Sequence, residues 1–313
     1  MTVNPHACTI DRILPPFCYW WRNNNMQGSM LFEDVVGIYL AGSNHRSKQR
    51  DRYSLQRLQP HFGGRSVTEL KRADVRSYIA RRQAEGVKQS TIGRELRFFS
   101  AALNFVRLEH DRPDIGNPVQ RLGLENSEGR VRWITQAEAG RLVEAAELYA
   151  RWPHLPCFIR LALNTGARKS ELLKLTWSRV DRHRGLFLLD SGDTKSGKRR
   201  SVPLNDAALD ALAVLSGWGH KHAPGNPWVF GRDGGRRITT FQTGFAAACE
   251  RAGIENFRIH DMRHTCASWL VMAGVPLGVV RDLLGHSSVT VTERYAHLAP
   301  DQIQSAVQRL LPF

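Results

Sequence analysis

The run from Ser90 to Glu109, STIGRELRFFSAALNFVRLE, places Ile92, Leu96, Phe99, Leu103 and Val106 at alternating steps of four and three. Those steps return to one side of a 3.6-residue helix, so the run predicts a helix with a single apolar stripe. Arg94 and Arg97 lie away from the centre of that stripe. A stripe of this kind is buried against another, and the flanking sequence supplies partners. Leu31, Val35, Ile38 and Tyr39 share one helical face, and Leu70, Val75 and Ile79 mark a further helix ending near Gly86. Residues 29–112 are therefore expected to form a small all-helical unit. Its outward Arg and Lys side chains suit either a phosphate backbone or a plain solvated face.

Downstream, Pro113, Gly116, Pro118, Gly123 and Gly129 interrupt any period, so 113–133 is read as a linker. Thr135-Gln136-Ala137-Glu138 then spells a capping box, and Leu142, Val143 and Ala146 follow on one face. Ile159, Leu161, Ala162 and Leu163 carry a helix to Gly166, and the chain re-enters helix around Arg168 to Leu175. The period then changes. Residues 185–190, GLFLLD, and 199–204, RRSVPL, read as two strands around a Gly-containing turn. Helices are expected again over 206–215, 241–252, 260–273 and 277–284. The fold class is thus mainly α with a small β-hairpin sheet: a helical N-terminal domain and a mixed α/β domain over 134–300. A short tail helix over 301–313 carries Ile303, Val307, Leu310 and Leu311 on one stripe. The first 28 residues, with Pro5, Pro15, Pro16 and the run from Cys18 to Trp21, are expected to hold little packed structure. Translation is as consistent with a start at Met26 or Met30 as at Met1.

The chain has 313 residues with 42% apolar and 23% charged, which excludes a disordered or fibrous class. Its formal net charge is +15, and 36 of its 44 basic residues are Arg. Residues 29–112 and 134–313 each carry +7, so the charge is no basic tail on a neutral body. A polyanionic partner is expected, foremost a nucleic acid. Five cysteines, at positions 8, 18, 157, 249 and 266, show no CxxC spacing, which points to a reduced, cytosolic protein. The most apolar stretch, 268–285, is broken by Gly274, Pro276 and the Arg281–Asp282 pair, so no membrane span is expected. No signal peptide is visible.

Residues 192–199, GDTKSGKR, nearly spell a phosphate-binding loop, but Arg199 stands where the magnesium-ligating hydroxyl belongs, and a strand follows instead of a helix. The stretch reads better as a hairpin tip presenting Lys195 and Lys198. His260 and His264 are four apart on a predicted helix, but Arg263 between them opposes a metal, and His264 is expected to be a packed or capping residue. A third constellation is more telling. Arg168 is followed by His260, Arg263, His286 and Tyr295. With the hairpin lysine, these are the groups phosphoryl transfer onto a tyrosine needs. Arginines stabilise charge on the phosphate oxygens, a histidine takes or shares the phenol proton, a lysine protonates the leaving oxygen, and the tyrosine attacks.

The order and spacing of these segments resemble the tyrosine recombinases, or phage integrases. The matching segments are TGARKSEL (165–172), TKSGK (194–198) leading into Val202-Pro203-Leu204, HDMRHT (260–265), LGHSS (284–288) and TERYAH (292–297). The resemblance covers 130–300 closely and extends to 29–112, which is similar to the family's helical, SAM-like core-site-binding domain. It implies that Tyr295 attacks the scissile phosphate to form a 3′-phosphotyrosyl link and free a 5′ hydroxyl. It implies that Arg168 and Arg263 clamp the phosphate, that His286 adds a hydrogen bond, and that His260 serves in proton transfer. Lys195 would be the acid for the 5′ oxygen, with Lys198 competing for that role, and Glu171 would order the site. It implies no metal or nucleotide cofactor. Duplex DNA core sites are the implied substrate, and the tail helix would pack on a neighbouring protomer of a homotetramer. Accessory DNA-bending or directionality factors are possible partners, and the protein would be cytoplasmic and nucleoid-associated. Residues 1–28 are too few for the arm-site-binding domain of larger integrases. The rival expectations are a type IB topoisomerase and a DNA-binding protein that has lost its reaction.

Overall fold

The computed structural model describes residues 29–43, 48–123, 131–192, 197 and 199–299. The expected N-terminal extension with Met1 and Met26, both hairpin lysines Lys195 and Lys198, and the tail over 301–313 lie outside the described residues. The chain divides into two compact units between Gly129 and Arg130.

In the first unit, α1 (Phe32–Gly42), α2 (Lys48–Phe62) and α3 (Arg72–Ala84) pack against the long α4 (Gln89–Glu109). The whole stripe of α4 is buried: Ile92, Leu96, Phe99, Leu103 and Val106 have no exposed surface. Phe99 meets the rings of Phe32 and Phe62, each at 5.1 Å between centroids, in tilted and edge-on arrangements favoured by the ring quadrupole. Arg94 and Arg97 are exposed, as their place off the stripe predicts. Helix α2 has no counterpart in the sequence reading. Arg and Gln make up six of its 15 residues, Pro60 sits in its last turn, and the apolar positions it fully buries are Leu58 and Phe62. Ile115 and Val119, from a stretch whose Pro and Gly content reads as linker, are buried in the same core.

In the second unit, α5 (Gln136–Tyr149) starts at the predicted box: Thr135 Oγ1 accepts from Glu138 N–H at 3.2 Å, and Thr135 N–H donates to Glu138 at 2.7 Å. Helix α6 (His154–Thr165) is buried on nearly every face and packs against α5, α8 (Asp206–His222) and α10 (Asp261–Met272). A short α7 (Lys169–Leu173) follows α6. The predicted hairpin is present as β2 (Leu186–Leu189) and β3 (Arg200–Pro203), antiparallel, with Phe187 opposite Val202. A two-residue strand β1 (Val180–Asp181) adds to β2, giving the order β1-β2-β3. Helix α9 (Gln242–Arg251) lies against α5. Helices α11 (Leu277–Leu284) and α12 (Thr290–Glu293) and a 3-10 turn (Ala296–Leu298) end the described chain. Among the described residues, no helix is long and apolar enough to cross a membrane.

Candidate active site

Two helix ends create the site. Helices α6 and α11 stop at Gly166 and Gly285, whose φ angles of +61° and +65° are the left-handed values that reverse a chain and that glycine adopts without a Cβ penalty. The last carbonyls of a helix lack partners inside it. Arg263, from α10, supplies them: Nη1 donates to Gly166 O at 2.7 Å and Nη2 to Leu284 O at 2.6 Å. One guanidinium thus ties three helices. It is 4% exposed. Burial, and then the neighbouring charge of Arg168, bring its pKa down to about 9, so it stays cationic at neutral pH.

A second knot forms where α7 begins. Arg168 caps α7, and its backbone N–H and Nη1 each donate to Glu171 at 2.8 Å. From β3, Arg200 donates both Nη nitrogens to the same carboxylate, at 3.1 and 2.8 Å. Glu171 is 1% exposed. Burial pushes its carboxyl up, but the Arg200 hydrogen bonds and charge, joined by those of Arg168, outweigh it and hold the group below its usual range. One buried anion therefore aligns two guanidiniums, and the Arg168 side chain keeps 19% of its surface open.

Across the turn after α11, the half-buried His286 pairs Nδ1 with Thr292 Oγ1 at 2.9 Å. Burial, then the charges of Arg263, Arg168 and Arg294, push His286 down to about 3, so its imidazole is neutral at physiological pH. Tyr295 follows α12 and is 1% exposed, within a cluster of Ala267, Val271, Val280 and Leu284 against which Val131 also packs. Burial pushes its phenol up to about 12, against the opposing pull of Arg294 and Arg263. The phenol oxygen meets His264 Nδ1 in a short hydrogen bond. The His260 ring stands edge-on to His264 with 5.1 Å between centroids; His260 is exposed and His264 is buried.

A model of the phage integrase family matches residues 132–302, more than half of the chain. The chain belongs to the phage integrase family. Over 262 residues it is 30% identical to tyrosine recombinase XerD of Rhizobium meliloti (strain 1021), covering 80% of this chain and 83% of that one. To the integrase of Salmonella phage P22 it is 35% identical over 194 residues. That match takes in 58% of this chain, and the chain spans only 47% of the phage protein. In fold, the Tn1549 transposon integrase in complex with a circular intermediate DNA gives a TM-score of 0.75 at 21% identity, covering 90% of this chain and 100% of that one. A lambda integrase dimer bound to a COC' core site gives 0.66 at 18%, covering 91% of this chain and 80% of that one.

Within this integrase-family unit, Arg168, Glu171, Arg263, His286 and Tyr295 meet around the ends of α6 and α11, with His260 at the exposed start of α10. Two residues outside the expected catalytic set join them. Arg200 shares an alternating face with Val202 on β3, and a charged residue on the inward face of a strand is itself a signal that a partner waits there. His264 was expected to be packing, and it is buried, but its ring nitrogen is on the phenol. Its spacing one helical turn from His260 is the signal that puts the two rings on one side of the helix.

Proposed function

We propose that this protein is a site-specific DNA recombinase that cuts and rejoins duplex DNA through a 3′-phosphotyrosyl intermediate on Tyr295. The observation that carries this reading is the convergence of Arg263, Arg168 and the neutral His286 with the Tyr295 phenol around two helix ends. The two guanidiniums neutralise the equatorial oxygens of a scissile phosphate, and His286 donates a further hydrogen bond. The Tyr295 oxygen forms a bond to phosphorus as the bond to the 5′ oxygen breaks. His260, at the start of α10, serves in the transfer of the phenol proton, and the leaving oxygen takes a proton from Lys195 or, in its place, Lys198. Because the phosphotyrosyl bond keeps the energy of the broken phosphodiester, the rejoining step needs no nucleotide. The phenol is buried in the free protein, so DNA binding has to open its surroundings to the phosphate.

The reading extends to the whole chain. The helical unit is the SAM-like core-site-binding domain over 29–112, followed by a linker over 113–133 and a catalytic domain over 134–300. Exposed Arg94 and Arg97 suit a phosphate backbone, and related integrases have been seen with DNA bound. The tail over 301–313 joins protomers into a tetramer on paired sites, with accessory factors where the element requires them. Affinity for DNA falls steeply with salt as released counterions lose their entropic advantage.

Covalent trapping tests the proposal. Wild type, Tyr295→Phe and Arg168→Ala are incubated in EDTA with nicked duplexes from the flanks of the gene, then run on denaturing gels. An adduct with wild type, absent in Tyr295→Phe and strongly reduced in Arg168→Ala, is expected. An adduct that survives Tyr295→Phe would sink the proposed chemistry.

A further inference from the structure

We propose that His264 is a further catalytic residue: its Nδ1 holds the Tyr295 phenol and receives the phenol proton as the oxygen attacks phosphorus. The inference rests on reading Tyr295 as the nucleophile. It starts from the contact itself, a short hydrogen bond between two buried side chains brought together from α10 and the turn after α12. A nucleophile enclosed in this way has no open route for its proton to bulk water. The proton must therefore go to the protein, and the group on the oxygen is an imidazole. Thr292, wholly buried in α12 just before the tyrosine, fixes the turn by pairing with His286, so the approach of the phenol to His264 is built into the fold.

The balance of the step is simple. The O–H bond of Tyr295 breaks and its proton goes to Nδ1. The oxygen–phosphorus bond forms, the bond to the 5′ oxygen breaks, and a separate acid protonates that oxygen. Burial, and to a lesser degree Cys266, oppose the ionised tyrosine, while the charges of Arg294 and Arg263 both favour it. The same arginines stand around the bonded imidazole in the free protein. His260 faces His264 from its own helix, His286 from the turn after α11, Arg294 adjoins the phenol, and Arg168 stands beside Arg263. The negative phosphate brought by DNA offsets them, so proton transfer is favoured only once substrate is bound. Exposed His260 is then one imidazole further along the route to solvent.

Two measurements on the full chain decide the matter. The first is single-turnover adduct formation on the trapping duplex between about pH 5 and 9, where histidine changes charge. His264→Ala and His264→Gln are both expected to be slower at neutral pH by on the order of 100-fold, the range of general-base catalysis. Their rates should keep climbing with pH where wild type levels off, and free imidazole should restore the alanine variant in part. Glutamine keeps a hydrogen-bonding side chain but does not titrate. A His264→Gln rate equal to wild type would make the residue a holder only and overturn the proposal, as would an unaffected His264→Ala. The second measurement needs no DNA. With the tyrosine ring carbons labelled, the Tyr295 signal is identified by its loss in Tyr295→Phe. It should move in both His264 variants; a signal left in place overturns the pairing. An adduct formed by Tyr295→Phe would instead defeat the nucleophile reading itself.

Discussion

Arg200 grips Glu171 with both ends of its guanidinium, at 3.1 and 2.8 Å, and so fixes the carboxylate that holds Arg168. A hydrophobic residue in place of Arg200 would leave a buried carboxylate with one cation where it now has two. Removing one partner of a buried ion pair costs about 3–5 kcal/mol. Arg200→Met is therefore expected to destabilise the second unit by about that much in urea unfolding. It should also reduce covalent trapping at temperatures where the protein stays folded, because Arg168 loses its alignment. Arg200→Lys restores the charge but not the parallel pair of bonds, so trapping should recover only in part.

Gly285 admits no side chain. Its φ of +65° is left-handed, and a Cβ there would stand 2.7 Å from Arg200 Nη1 and 3.0 Å from its Cδ. Gly285→Ala should cost about 1–2 kcal/mol for the backbone alone. It should also push Arg200 off Glu171, so trapping should fall more than a stability loss of that size explains. Gly140, on an open face of α5 with nothing near its missing Cβ, is the control. Gly140→Ala should be neutral or slightly stabilising, by up to about 1 kcal/mol.

Stability should fall on the acid side of neutrality. Burial, then nearby arginine charge, bring His286 to about 3, and burial brings His154 to about 4. Unfolded, both titrate near 6.5, so below that pH the unfolded chain binds protons that the fold refuses. Each histidine therefore withdraws stability progressively as pH falls from about 6.5 toward its folded value, and neither contributes a pH dependence above it. The midpoint of thermal unfolding should drop between about pH 6.5 and 4. His154→Phe, which cannot take up a proton, should flatten part of that slope. A wild-type midpoint constant across the window would contradict the buried, neutral state of these rings.

What the sequence made legible is what periodicity and local chemistry encode. The stripe of α4, the Thr135–Glu138 box and two strands over 185–190 and 199–204 follow from spacing, residue type and turn chemistry, and each has its counterpart in the fold. Helix α2 was not legible, because a helix that buries little else than Leu58 and Phe62 leaves no stripe to read. Strand β1, two residues long, is too short for alternation to register. In the site, the separate segments carrying Arg168, Arg263, His286 and Tyr295 were visible as motifs. How they are joined was not. The carbonyls that Arg263 binds belong to backbone, which has no letter in the sequence, and the burial of Tyr295 depends on how α10, α11 and the last turn pack together.

The first unit holds a second buried ionic knot, remote in sequence from the catalytic motifs. Arg82 donates Nη2 to Glu95 Oε1 at 2.8 Å, and the Tyr78 hydroxyl donates to Glu95 Oε2 at 2.7 Å, with Arg82 and Glu95 both nearly sealed from solvent. Glu95 sits on the buried side of α4, so without a partner its charge would oppose the packing of the unit's longest helix. Glu95→Ala, which leaves buried Arg82 with only the more exposed Glu85 and the buried Tyr78 hydroxyl without its acceptor, is expected to cost about 3–5 kcal/mol. Replacing all three members with apolar residues, Arg82→Met and Glu95→Leu with Tyr78→Phe, removes the desolvation penalty together with the attraction and leaves no buried hydroxyl without an acceptor, so it should be neutral or stabilising by about 1–4 kcal/mol. Each unit has its own core, so calorimetry of the full chain should assign both changes to one of two melting transitions and leave the other where it is. If the triple variant unfolds as early as Glu95→Ala, the knot is stabilising in itself, and the helical unit depends on a polar core.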